Sequence, residues 1–251
     1  MKLLSAIPKF FWKTWFILNF GLGLLFLYPL FRLFLFKEAW FKWAFRLMRF
    51  WAHWILWGSG IFVKQVKGTY KNQIKGPVVF CANHTSYLDI VVSYYLFDCY
   101  FVFMGKSELK KAPLFNIFFE KMNILVERVS RVESHKAFME ADRRVKRGES
   151  VFLFPEGTIG KQVPQLKEFK NGAFRLAIEN QVPILPVTFI NNWKILQNGG
   201  FLKSNGKPGI AFVKIHKPIS TKGLSPDNLV SLKEQVYNII EEPLKKLNHE
   251  N

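Results

Sequence analysis

The sequence predicts an α/β domain, a mostly parallel sheet flanked by helices, preceded by a membrane-embedded segment of two helices. Three observations predict it. Residues 1–63 hold 20 of the 42 aromatic residues and seven of the eight Trp. Within that segment, residues 14–31 carry no charge. From Gly68 onward, short runs rich in Val, Ile and Phe alternate with charged stretches of helical length, the texture of strands and helices taken in turn.

Charge and composition narrow the partners. Lys plus Arg total 36 against 18 acidic residues, a formal charge of +18. That excess excludes a binder of basic partners and directs attention to phosphate, on nucleic acid or on anionic lipid. A hydrophobic content of 49% excludes a disordered chain. Cys81 and Cys99 are the only cysteines, which excludes a disulfide framework and a Cys-ligated zinc module. Nothing in the residue pattern calls for a metal or a cofactor.

The first element is the uncharged run TWFILNFGLGLLFLYPLF, 18 residues long and near the ~20 that cross a bilayer core. Gly21, Gly23 and Pro29 are tolerated in such a helix and also permit a bend. In the second element Glu38, Lys42, Arg46, Arg49 and His53 recur every three or four residues, within roughly 80° of one helix face. A thin basic stripe on an otherwise aromatic helix suits the headgroup boundary, where Trp is favoured and Lys and Arg snorkel. Both flanks of the apolar run are basic, so the charge bias sets no orientation. The expected arrangement is a helical hairpin embedded from one leaflet with both ends cytoplasmic, a single crossing being the alternative. The expected division is residues 1–63 as anchor and 64–251 as catalytic domain.

Strands are expected over 77–82, 99–104, 124–129, 150–154, 184–190 and 210–215. Helices are expected over 87–97, 114–121, 133–147, 171–180 and 226–247. In such sheets ligands bind beyond the carboxyl ends of strands. The loop after the first of these strands reads Asn83-His84-Thr85-Ser86-Tyr87-Leu88-Asp89. A regular helix would separate His84 from Asp89 by about 140°. A strand–turn–helix junction can instead pair them, with Asp89 accepting the Nδ1 proton, Nε2 left as a general base and Ser86 capping the helix. A structural histidine satisfied by a carboxylate fits the same spacing. After 150–154, Glu156-Gly157-Thr158 offers a bendable backbone whose N–H groups can approach an anion; an ordinary turn fits as well. Lys106 and Arg128, after two other strands, bring cations toward the same place, as a phosphate monoester site requires.

Taken in order and spacing, NHTSYLD, GKSEL, the Arg of LVERV, FPEGT and VPILPV resemble the motifs of the glycerolipid acyltransferases, in particular the bacterial 1-acyl-sn-glycerol-3-phosphate acyltransferase group. The resemblance spans about residues 64–220. It implies His84 as the base that deprotonates the sn-2 hydroxyl of a lysophospholipid, and Asp89 as the residue that orients it. Acyl-ACP or acyl-CoA would be the donor, Lys106 and Arg128 the phosphate ligands, and Glu156, Gly157 and Thr158 the wall of the acceptor site. The family has Arg after FPEGT where this chain has Ile159. Either Lys161 substitutes or Lys106 and Arg128 suffice for the phosphate, and a lyso-aminolipid acceptor is the alternative. Further expectations are an anionic membrane and an acyl carrier protein as partners, the latter on the basic stretch 133–147 unless that is an ordinary solvated helix, and a location on the cytoplasmic face of the inner membrane. Nucleic acid is not expected, because the aromatics gather with the apolar run rather than alternating with cations.

Overall fold

A computed structural model of the chain describes residues 6–68, 70, 74, 76–106, 114, 116–126 and 130–249. Helix α1 (Ala6–Phe34) runs unbroken through both glycines and Pro29, and α2 (Phe41–Gly58) returns antiparallel beside it. At Gly23 the two helices meet so closely that a Cβ would lie 2.8 Å from Trp51 Nε1. The indole edge therefore occupies the space that any larger residue would take.

Seven strands form one sheet: β1 (Ile61–Gln65), β2 (Val79–Ala82), β3 (Phe101–Lys106), β4 (Ile124–Val126), β5 (Ser150–Leu153), β6 (Ile184–Phe189) and β7 (Gly209–Ile215). Their order is β1-β7-β6-β2-β5-β3-β4, and every neighbouring pair is parallel except β6–β7. The mostly parallel sheet is as expected. Strand β1, read as the tail of the anchor, is an edge strand of this sheet, so the sheet begins at Ile61 and the expected boundary at 63 falls within it. Its alternation is too short to stand out after an aromatic helix.

Side chains of period two divide the core. Phe80 and Phe152, register partners stacked at 5.1 Å, face one side with Phe31, Phe97 and Phe101. Val79, Val102 and Val151 face the other, covered by α5 (Arg131–Lys146), α6 (Gly172–Asn180) and α8 (Leu229–His249). The first face is covered by α3 (Leu88–Leu96), α4 (Asn116–Lys121) and the α1–α2 pair. The N-terminal helices thus share a core with the sheet. In α2, Phe41, Phe45, Met48, Trp51 and Ile55 are buried inward, while Trp43, Phe50, Trp54 and Trp57 stay exposed. Aromatic residues on both sides of a helix conceal in the sequence which side faces protein.

In α1, residues 9–34 are long and apolar enough to cross a membrane. One face remains exposed, including Phe11, Trp15, Leu18, Leu22 and Phe26. The basic stretch in α5 is largely neutralised by its surroundings: Lys136 pairs with Glu133, Arg143 and Arg144 with Glu140, Lys146 with Asp142, and Arg147 with Glu38. That pairing favours the solvated helix over a docking face.

Candidate active site

Loops that leave the carboxyl ends of β2, β5 and β6 converge. The β2 loop enters α3 through a short turn in which the N–H of Leu88 donates to Ser86 Oγ at 3.1 Å. The first turn of α3 places Asp89 back over the loop. His84 Nδ1 donates to Asp89 Oδ2 at 3.0 Å, and the same oxygen accepts from the N–H groups of Thr85 (2.7 Å) and Ser86 (2.9 Å). Asp89 Oδ1 accepts from Asn192 Nδ2 at 2.8 Å, and the carboxylate is fully buried. With Nδ1 committed as a donor, Nε2 is the basic nitrogen. His84 retains 12% side-chain exposure, enough for a hydroxyl to reach it. Its ring lies flat on Phe154, centroids 4.0 Å apart.

Glu156 joins the two motif loops. Its Oε1 accepts the N–H of His84 at 2.8 Å and its Oε2 the N–H of Lys167 at 3.0 Å. Burial pushes its carboxyl above the ordinary range, partly offset by those N–H groups. Its carboxylate is engaged in shaping the loops. Gly157 has φ +76°, a conformation that suits glycine, and its N–H closes a turn on the Phe154 carbonyl at 2.9 Å. That N–H is therefore already used, contrary to its reading as an anion donor.

Beside His84 opens a cavity of ≈ 230 Å³ that runs between the sheet and the α1–α2 pair. Thr158 and Ile159 line it near His84; Met48, Trp51, Ala52, Phe103 and Phe118 line the remainder. Lys161 is exposed on the loop and does not line it. The side chain of Lys106 and the whole of Arg128 lie outside the described residues.

Four contributors escaped the sequence reading. Asn83 clamps β2 to β6, its amide accepting the N–H of Phe189 at 2.8 Å and donating to the Phe189 carbonyl at 3.0 Å. Asn192 supports Asp89, and Phe154 backs the imidazole. Lys170 lies over Gly157, its Nζ 3.2 Å from where a Cβ would stand. The strand-end rule, applied to the Asn191-Asn192 pair after β6, would have pointed to one of them. Burial raises the thiol pKa of Cys81, which keeps it protonated and inert.

A buried acid behind a largely buried but still accessible imidazole, opening on an apolar cavity, suits group transfer to a hydroxyl of an apolar substrate. The model of the acyltransferase family matches residues 63–190, just over half of the chain, and the chain belongs to that family. The 1-acyl-sn-glycerol-3-phosphate acyltransferase BAT2 of Brassica napus chloroplasts is 35% identical over 60% of this chain, which spans only 45% of that relative. The 1-acyl-sn-glycerol-3-phosphate acyltransferase of Haemophilus influenzae is 29% identical over 68% of this chain and 70% of its own. The crystal structure of the 1-acyl-sn-glycerophosphate acyltransferase PlsC of Thermotoga maritima shares the fold with a TM-score of 0.77 at 22% identity, covering 96% of this chain and 97% of that one.

Proposed function

We propose that the protein transfers a fatty acyl group from acyl-ACP or acyl-CoA to the sn-2 hydroxyl of 1-acyl-glycerol-3-phosphate, forming phosphatidic acid at the cytoplasmic face of the membrane. The observation that carries this reading is the His84–Asp89 pair at the mouth of an apolar cavity. The names of the relatives in Brassica and Haemophilus support the same substrate.

In this reading His84 Nε2 accepts the proton of the acceptor hydroxyl as its oxygen attacks the thioester carbonyl. Asp89 stabilises the resulting imidazolium through the Nδ1 bond. The tetrahedral intermediate collapses, the C–S bond breaks, and His84 returns the proton to the departing thiolate. General-base catalysis of this kind contributes about 10²–10⁴-fold. No covalent enzyme intermediate is needed, in keeping with an inert Cys81. One acyl chain lies in the cavity between the sheet and α2. Lys106 and Arg128 hold the acceptor phosphate, assisted by Lys170 above Gly157. The hairpin α1–α2 sets the cavity beside the bilayer, with the exposed face of α1 against lipid.

A second reading rests on Ile159, which puts an apolar side chain on the cavity wall where the family carries Arg. An acceptor without a phosphate monoester, such as a lyso-aminolipid, would tolerate it. Purified full-length protein offered lysophosphatidic acid and lyso-aminolipids with a labelled acyl donor separates the two. Preferred acylation of lysophosphatidic acid, abolished in His84→Ala, supports the first; preference for the aminolipid overturns it.

A further inference from the structure

The segment between α7 (Asn192–Ile195) and β7 starts at the active site. The Leu196 carbonyl accepts from Ser86 Oγ at 2.5 Å, and Asn198 lines the cavity beside His84. From there the chain leaves the sheet and folds onto the first turns of α1.

This turn is tightly held. Lys13, only 5% exposed, donates from Nζ to the carbonyls of Phe201 and Ser204, the latter at 2.7 Å, and to Ser204 Oγ. Lys9 Nζ donates to Asn205 Oδ1 at 2.8 Å. Where the turn ends, a Cβ on Gly206 would stand 2.6 Å from Lys13 Cγ, so the approach needs glycine. A turn fixed by several hydrogen bonds and one close backbone approach presents whatever is at its tip in a defined place.

At the tip Leu202 is 81% exposed, with Phe201 partly exposed beside it. Phe201 meets Phe10 edge-on at 5.6 Å, so the tip is continuous with the exposed apolar face of α1. Lys203 and Lys207 flank it, both exposed. An apolar tip bordered by cations, contiguous with a helix of membrane character, has the composition of an interfacial lipid contact.

We propose that the 199–204 turn enters the bilayer as a membrane contact additional to the α1–α2 pair. Phe201 and Leu202 lie at the acyl boundary, and Lys9, Lys203 and Lys207 lie among anionic headgroups. Because the same segment carries Leu196 and Asn198, the turn holds the mouth of the site at headgroup level, where a lysolipid acceptor resides. The inference rests on the membrane reading of α1, and the experiment separates the two.

Full-length protein carrying Cys99→Ser is given one accessible thiol by Leu202→Cys, Leu22→Cys or Lys222→Cys and labelled with an environment-sensitive fluorophore. It is reconstituted in phosphatidylglycerol/phosphatidylethanolamine vesicles containing spin-labelled lipid. The expected result is strong quenching at positions 22 and 202 and little at 222, which is exposed at the opposite end of the sheet. Quenching at 22 with 202 resembling 222 overturns the role of the turn and leaves the membrane reading standing. No quenching at 22 or 202 overturns both. In a second arm, Leu202→Asp lowers kcat/KM on vesicle-borne acceptor by roughly tenfold, the order of one leucine's transfer energy, and leaves turnover of detergent-dispersed acceptor unchanged. Equal loss in both assays assigns Leu202 to folding or the site itself and overturns the proposal.

Discussion

The backbone N–H of His84 donates to the carboxylate of Glu156 across 72 residues of chain. The two motif loops are therefore one unit, and the acid of FPEGT acts on the position of the imidazole. Glu156→Gln keeps the shape but turns one oxygen into an NH₂ group that confronts the N–H of either His84 or Lys167. Leaving such a buried donor unpaired costs about 1–3 kcal/mol. The expected result is a lower Tm and a fall in kcat, with acceptor KM little changed. An unaltered kcat would show that this bond does not position His84.

Asn192 tests the dyad from behind. Its Nδ2 donates to Asp89 Oδ1 in a fully buried setting. Asn192→Ala removes this donor from a buried carboxylate, and kcat at neutral pH falls by about 10-fold or more, the order of one lost charge-assisted hydrogen bond. In Asn192→Asp two buried carboxyls this close cannot both ionise, so the new one holds a proton, donates to Asp89 in place of the amide and loses less activity. An unaltered kcat in Asn192→Ala would disconnect Asn192 from the base.

What the sequence discloses and what it conceals follows physical lines. Short runs of Val, Ile and Phe marked the strands β2, β5 and β6, because a strand buried on both faces writes itself as a continuous apolar run rather than an alternating one. His84 and Asp89 were legible because a turn and a helix start lie between them, and that junction is the geometry that pairs them. Asn192, 103 residues from Asp89, was not, because nothing local distinguishes an Asn that supports a distant carboxylate from one in a turn. The role of α2 was half legible. Its basic stripe was evident, but Trp51, which faces the cavity, and Trp54, which is exposed, read alike in a list of aromatics.

Stability should depend on pH through His216. Burial, and then the nearby Lys214, lower its pKa to about 4, against a smaller opposing pull from Glu242. Thr188 Oγ1 spends its proton on the Ile240 carbonyl, so His216 Nε2–H donates to it at 2.9 Å, a bond that either charge state can make, and burial is what favours the neutral ring. The unfolded chain takes up this proton first, near its ordinary pKa of ~6.5. The contribution is therefore complete above that pH and is lost as pH falls toward 4, on the order of 3 kcal/mol in total. Urea unfolding of the wild type between pH 7 and 4 should show this slope, and His216→Gln should flatten it. Parallel curves for the two proteins would remove His216 as the cause.

Headgroup selection can be probed at Ile159 and Lys170. Among the described residues Lys170 has no ion-pair partner, and its Nζ lies over Gly157, two residues from Ile159. If the acceptor bears a phosphate, Lys170→Met raises acceptor KM by about 10-fold, the order of one charged hydrogen bond, and leaves donor KM unchanged. Ile159→Arg then lowers it by adding a second cation. A raised acceptor KM in Ile159→Arg, with activity on a lyso-aminolipid lost as well, would instead favour the lyso-aminolipid reading.

The cavity wall makes the last expectation quantitative in direction. Ala52 in α2 is nearly fully buried yet lines the cavity, opposite the strand that carries Phe103. A phenyl ring at this position projects into the space assigned to an acyl chain and shortens it from the side of the N-terminal helices. Filling a preformed apolar cavity need not strain the fold, whereas overpacking an already filled core costs about 1–3 kcal/mol. Ala52→Phe should therefore melt within a few degrees of the wild type but prefer donors or acceptors with shorter chains, each excluded methylene being worth about 0.8 kcal/mol. The decisive measurement is kcat/KM against a series of acyl donors of increasing length, repeated against acceptors of increasing length. The series whose optimum moves identifies which substrate's chain occupies the cavity. If neither optimum moves while the protein stays folded, the cavity holds no acyl chain during turnover.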